Sequence, residues 1–227
     1  MGIGGHQLPH VQRGSSPVRV IAIDGPAGSG KSTVARAVAA RLGLAYLDTG
    51  AMYRAVTFAA IRRGIDPSDA EPVARLAEDI DIDVADKVTV DGVDATIEIR
   101  SPEVTRAVSA VAANPAVRHE LVVRQRQWAE AHGGGVVEGR DIGTVVFPNA
   151  DVKVYLTADD SERATRRSKE MLDMHYDQVA ADIARRDHID STRAASPMAV
   201  ADDAVHIDST GRGIEEVVED VLALVAK

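Results

Sequence analysis

The chain contains no cysteine, which rules out disulfides, thiolate metal sites and a cysteine nucleophile, and fits a reducing cytoplasm. No apolar run approaches the roughly 20 residues needed to cross a bilayer, so a soluble protein is expected. Acidic residues outnumber basic ones, 35 to 26. A net charge of −9 and a pI near 5.2 argue against a protein that coats nucleic acid or anionic membrane. An acidic whole still leaves room for a local basic pocket, which a phosphate site requires. With 227 residues at 45% hydrophobic composition, one substantial core can be buried, with at most a small appendage.

Residues 1–16 lack the apolar stretch of a secretory signal. Met1-Gly2 is a possible myristoylation start, but His6 stands where that signal requires Ser or Thr. The segment is read as a flexible leader without assigned function, and His6 and His10 within it as incidental.

What is present begins at Val18–Ile23, a β-branched apolar run that reads as a buried strand. Gly25-Pro26-Ala27-Gly28-Ser29-Gly30-Lys31-Ser32 follows at once and fits G-x-x-x-x-G-K-[ST]. Thr33 and then Val34, Val38 and Leu42 at helical spacing continue it, with Gly43 as the stop. The chemistry explains these residue types. Glycines let backbone amides approach a polyphosphate, and the following helix adds its positive end. Lys31 reaches the β- and γ-phosphates, while the Ser32 hydroxyl can ligate Mg²⁺. Gly25 to Thr33 are therefore the candidate ATP-binding residues.

Four further strands are predicted, at 44–47, 136–138, 152–156 and 204–207, alternating with helices. One helix runs from Asp48-Thr49-Gly50 to about Arg63, others over 117–132, 160–171, 179–186 and 214–225. Strands alternating with helices imply a parallel sheet covered on both faces. Between them, Val88, Val90, Val93, Ile97 and Ile99 are separated by polar residues. With Asp91-Gly92 as a hairpin signal, they read as a small antiparallel insert.

The phosphate loop alone does not distinguish kinases from other nucleotide-binding proteins. A GTPase would carry an Asn-Lys-x-Asp element, which is absent, and the length leaves no space for the second large domain of a motor ATPase. Instead, arginines stand in loop contexts: Arg54 after Asp48-Thr49-Gly50, Arg140 beside Asp141, and Arg185, Arg186 and Arg193 among Asp187 and Asp190. Guanidinium forks suit phosphate recognition, and two phosphorylated substrates meeting head-on need many cations. Arg163, Arg166 and Arg167 are read equally as phosphate contacts or as solvated surface pairs.

These motifs together resemble the bacterial cytidylate kinase family. The blocks that carry the resemblance are the phosphate loop, Asp48-Thr-Gly-Ala-Met-Tyr-Arg54 and Glu138-Gly-Arg-Asp-Ile-Gly-Thr-Val-Val-Phe-Pro148. Arg186-Asp-His-Ile-Asp190 with Arg193 and Ser196-Pro-Met, and Asp208-Ser-Thr, complete them. The resemblance implies a three-layer α/β P-loop fold with a central five-stranded parallel sheet. It also implies a monophosphate-binding β insert within about 64–132 and a mobile lid at about 185–197, all in one domain over 17–227. It further implies that Arg54, Arg140 and Arg186 hold the acceptor phosphate. Ser109, Arg118 and Asp141 would read the cytosine edge, Asp190 the ribose, and Arg193 would act from the lid. Thr49 stands where the family also uses Ser. Asp48 would orient Mg²⁺-bound water or cap its helix. Arg163 and the turn at 208–211 are candidates for the adenine pocket. Lys31, Arg140, Arg186 and Arg193 are the expected catalytic set, with ATP, CMP or dCMP and Mg²⁺ as partners of a cytoplasmic monomer.

Rival readings remain on the residues alone. Gly133-Gly134-Gly135 resembles the triple glycine of shikimate kinases, yet the Asp-x-Asp expected after the second strand is replaced by Asp48-Thr49-Gly50. An adenylate kinase-like enzyme fits the insert poorly. A non-turnover regulatory module is disfavoured by Lys31, Ser32 and the arginine set.

Overall fold

The computed structural model describes residues 19–170 and 175–226. The leader over 1–16, and Val18 and Met171 at the ends of predicted elements, lie outside the described residues. In chain order the first half comprises β1 (Arg19–Asp24), α1 (Lys31–Leu42), β2 (Tyr46–Asp48), α2 (Thr49–Arg62) and α3 (Ala70–Asp79). It continues through β3 (Ile82–Val84), β4 (Val88–Val90), β5 (Val93–Asp94) and α4 (Pro102–Ala113). The second half holds α5 (Pro115–His132), β6 (Gly134–Gly139), β7 (Val152–Thr157), α6 (Asp160–Glu170), α7 (Tyr176–Thr192), β8 (Val205–Asp208) and α8 (Ile214–Val225).

Five strands form the expected parallel sheet in the order β2-β6-β1-β7-β8. Alternation along the central strand assigns its two faces. Ile21 and Ile23 join Val34 and Val38 of α1 and Val217 and Val221 of α8 in one buried cluster. Val20 and Ala22 point the other way, into a cluster with Val56 and Ala60 of α2 and Leu121 of α5. A strand buried on both faces reads as a continuous apolar run for this reason.

The insert is the expected antiparallel sheet, in the order β3-β4-β5. Asp91 and Gly92 both have positive φ, the condition a tight two-residue hairpin requires. Its side chains Val88 and Val90 enter the same buried cluster as Val56 and Leu47, so the insert shares the core of the sheet. Between them lies α2, buried nearly all round, with Asp48 capping its first turn by accepting from the Ala51 amide at 2.9 Å.

Three expectations change. Leu44 is not strand: its amide bonds Ala39 O at 2.9 Å and closes the end of α1, so β2 begins at Tyr46. Ile97 and Ile99 do not continue the insert's alternation. Asp94 turns back to accept from the amide and hydroxyl of Thr96, an Asx turn that ends the pairing. Ile97 is left 81% exposed while Ile99 is buried, in a short 3-10 turn over Glu98–Arg100. Finally, the helix expected to stop at Arg186 continues to Thr192. Arg185 and Arg186 therefore stand on a helix rather than in a loop.

Gly134, where α5 gives way to β6, has φ +112°, and a Cβ there would lie 2.1 Å from Arg19 O. At Gly133 φ is +68° with nothing nearby. Gly133→Ala is expected to lose about 1 kcal/mol from backbone strain alone. Gly134→Ala, which adds a backbone clash, should lose about 3 kcal/mol or more in urea unfolding.

Candidate active site

The phosphate loop leaves the carboxyl end of β1 and enters α1, the position at which open α/β sheets bind ligands. Gly28 has φ +74° and a Cβ there would sit 2.7 Å from Arg163 O, so only glycine lets the loop pass beneath α6. The residue before α1 is Gly30, which makes no side-chain cap, and the first amides of the helix therefore face outward as an anion site. Lys31 folds back over the loop and donates to Pro26 O at 2.8 Å. Ser32 and Thr33 are exposed along the adjoining groove.

Lys31 keeps some surface toward the cleft, but most of its surroundings are protein. Burial, with Arg140 repelling it, brings its ammonium down to about 7. Glu138 at the end of β6 is the converse case. Burial, then the neighbouring Asp48, pushes its carboxyl up to about 7, while Lys31, Tyr46 and Ser32 hold it charged. The Tyr46 hydroxyl donates to Glu138. The two groups stabilise each other's charged forms against a common desolvation cost.

Beside the loop lies a second cavity of about 170 Å³. It collects all ten residues expected at an acceptor nucleotide: Asp48, Thr49, Arg54, Ser109, Arg118, Arg140, Asp141, Arg186, Asp190 and Arg193. They come from the ends of β2 and β6 and from α2, α4, α5 and α7. Asp141 is buried, accepting from Arg118 and, at 3.4 Å, from Arg193. Burial raises its carboxyl while these two guanidinium groups pull it down. Arg193 also lies 3.7 Å from Asp190 and donates to Ser196 O at 2.6 Å. Arg140 reaches Asp190 at 3.2 Å and donates to Gly25 O at 2.8 Å. The ring of Tyr53 lies under Arg118, 5.5 Å from its guanidinium carbon.

The same cavity also gathers a concentration of cations. Arg54 is buried on α2, donating to Ile99 O at 3.1 Å and Thr105 Oγ1 at 2.9 Å. Burial, then repulsion by Arg186, Arg167 and Arg100, brings its guanidinium down to about 9. Arg186 is brought down to about 10 by burial and by Arg140 and Arg167, and its Nε is buried without a protein partner. Arginines crowded this far below their ordinary range provide a strong site for a dianion.

Arg163 does not join them. Its guanidinium donates to Ala27 O at 2.9 Å and pairs with Asp187 and Asp160, latching α6 to the phosphate loop from behind. Arg166 faces the larger groove on the loop's far side, donating to Ser209 Oγ at 2.8 Å and Ser29 O at 3.3 Å. The 208–211 turn is thereby placed against the loop. Sequence reasoning gave no role to Tyr53, Arg100 or Glu138, which line the acceptor cavity. Tyr53 has the spacing of a core aromatic and Arg100 stands in no motif. Glu138 was part of a recognised block but carried no assignment.

Among the described residues no three His, Asp or Glu side chains gather as a metal cage. The oxygen donors near the loop include the Ser32 hydroxyl, close to Glu138, and Asp48. That is a hard, sparse donor set, which fits a Mg²⁺ that arrives already chelated by phosphates. No helix among the described residues is long and apolar enough to cross a membrane.

Comparison with known proteins places the chain among relatives. A curated cytidylate kinase of Mycobacterium leprae (strain Br4923) is 51% identical over 211 residues, 91% of this chain and 95% of that one. Another, of Desulforamulus reducens (strain ATCC BAA-1160 / DSM 100696 / MI-1), is 51% identical over 217 residues, 92% and 97% of the two chains. An uncharacterized protein from Eubacterium ventriosum ATCC 27560 shares the fold alone. Its crystal structure matches with a TM-score of 0.55 at 10% identity, over 92% of this chain and 99% of that one. The sequence model for cytidylate kinase matches residues 21–227, and the chain belongs to the cytidylate kinase family.

Proposed function

We propose that this chain transfers the γ-phosphoryl group of ATP to CMP or dCMP, giving ADP with CDP or dCDP. The observation that carries the reading is the acceptor cavity's polarity. Its lining combines a buried carboxylate, Asp141, fixed between Arg118 and Arg193, with the Arg54, Arg140 and Arg186 cluster. A cytosine amine donates hydrogen bonds, whereas uracil presents a carbonyl oxygen at the same edge. A fixed carboxylate favours the first and repels the second. Ser109 and Arg118 complete the base edge, with Asp190 at the ribose.

The transfer is direct and in line. The acceptor phosphate, with a second pKa of about 6, is already mostly a dianion at neutral pH, so no general base is needed. Gly25 to Thr33 cradle the triphosphate, Lys31 neutralises it, and Arg140, Arg186 and Arg193 stabilise charge on the transferring group. Ser32, with Glu138 and Asp48 nearby, would hold Mg²⁺ brought in with ATP, which would further neutralise the β- and γ-phosphates. Arg163 contributes by holding the loop rather than by touching adenine. The protein works as a cytoplasmic monomer on small molecules, with neither nucleic acid nor membrane as partner. One domain over 17–227 closes its 185–197 lid and its insert on both substrates to exclude water.

Three outcomes are expected. Asp141→Ala should lower the preference for CMP over UMP by roughly tenfold or more, since a good base-edge contact contributes about 1–3 kcal/mol of discrimination; ADP release with each acceptor measures this. Lys31 loses its proton above about pH 7 in the free protein, whereas a bound triphosphate raises it again. Accordingly kcat/KM for ATP should decline above pH 7 while kcat at saturating ATP stays level to higher pH. A kcat/KM that stays level to pH 9 would show instead that Lys31 keeps its proton in the free protein. Hydrogen exchange over 185–197 should slow with CMP plus a non-hydrolysable ATP analogue, and unchanged exchange would sink the lid.

A further inference from the structure

Asp24, the last residue of β1, is buried, and the kinase reading above gives it no task. Its carboxylate does not face the cleft. Oδ1 accepts from the Ile142 amide at 2.8 Å and Oδ2 from the Gly143 amide at 2.7 Å. These amides open the π-type turn over Ile142–Val146, which starts directly after Asp141. The first amides of any helical turn have no acceptor within it, and the residue just before the turn ordinarily caps them with its own side chain. That residue here is Asp141, a good capping type, yet its side chain makes no cap bond. It points to Arg118 and Arg193 instead.

We infer that Asp24 caps this turn in place of Asp141, and so acts as a positioning residue that keeps the Asp141 carboxylate available to read the acceptor base. The surrounding contacts make the arrangement specific. Asp24 pairs in register with Gly139 of β6, so the strand bearing the cap and the strand leading to Asp141 are fixed neighbours. A Cβ at Gly143 would lie 3.2 Å from the Lys153 side chain and 3.4 Å from Asp24 Oδ2, so Gly143 packs closely against the cap. Arg140 donates back to Gly25 O at 2.8 Å, so residues 24–25 and 140–143 are joined by three hydrogen bonds. Burial pushes the Asp24 carboxyl up to about 6, and the two amide bonds offset part of that cost. With Asp24 removed, the Ile142 and Gly143 amides become buried donors without a partner. The nearest carboxylate that can turn to them is that of Asp141, at the expense of the base pocket.

The inference rests on the base-reading role of Asp141, and the test separates the two. CMP and UMP turnover is compared in the full-length wild type, Asp24→Asn, Asp141→Ala and the double variant, together with amide exchange at Ile142 and Gly143. Asn at 24 keeps the shape and one acceptor, but sets an NH₂ against the second amide. Expected for Asp24→Asn is a rise in KM for CMP of roughly tenfold, a smaller change for UMP, and at least tenfold faster exchange at the two amides. The double variant should have the same CMP to UMP ratio as Asp141→Ala, because both changes disable one device. Equal losses for CMP and UMP in Asp24→Asn, or additive effects in the double variant, would reduce Asp24 to a structural acid and overturn the inference. If Asp141→Ala itself leaves the ratio unchanged, base reading by Asp141 fails and the positioning inference falls with it, whereas unchanged amide exchange in Asp24→Asn would refute the capping alone. Should Asp24→Asn not fold, exchange in the wild type decides: the two amides must be protected as strongly as those of β1, and faster exchange would rule out the cap.

Discussion

Repulsion among arginines at the carboxyl ends of β1 and β6 sets the terms for the rest of this structure. Arg54 is held below its ordinary range by burial and by Arg186, and Arg186 by burial and by Arg140, in a protein whose net charge is −9. Such a cluster is unfavourable by itself and is tolerated because acids surround it. Asp187 pairs with Arg140 and Arg163, Asp190 with Arg140 and Arg193, and Asp141 with Arg118 and Arg193. All three carboxylates belong to α7 or to the segment after β6. The same acids that make the cluster tolerable therefore also fix the positions of the elements that carry it.

The cleft beside the loop follows the opposite logic. Lys31 and Glu138 are each driven toward neutrality by desolvation and each kept charged by the other. A site balanced in this way responds strongly to an arriving polyanion, because added negative charge favours the lysine's charged form and disfavours the glutamate's. Substrate charge thus completes an electrostatic arrangement that the protein alone leaves under tension. The insert and α2 contribute in a more passive way. They share one apolar cluster with the sheet, so Arg54 on α2 is displayed from a packed support rather than from a free loop.

Much of this was legible in the residues. The β-branched run before Gly25, the glycine spacing and the apolar rhythm of α1 specify a strand, a tight turn and a helix, since each depends on local geometry alone. Asp91-Gly92 specified its hairpin for the same reason. Less was legible wherever a contact is distant in sequence. Arg163 and Arg140 look alike as arginines beside acidic residues, but one latches α6 to Ala27 O while the other lines the cavity. Tyr53 looks like core, and lies under a guanidinium in the site. The extension of α7 to Thr192 changed how Arg185 and Arg186 are presented, and nothing local marked its end.

Sequence by itself determined the order of strands and helices, the phosphate loop with Lys31 and Ser32, and the set of arginines and acids. Propensity, periodicity and glycine's freedom act over a few residues and leave their marks in the chain. Only the tertiary structure decided which charges share a cavity and which carboxylate caps which turn. Asp24 and Asp141 are 117 residues apart, and their division of labour exists only because parallel pairing of β1 with β6 brings the two ends together. Electrostatics in a buried site depends on distances in space, which local sequence patterns do not contain.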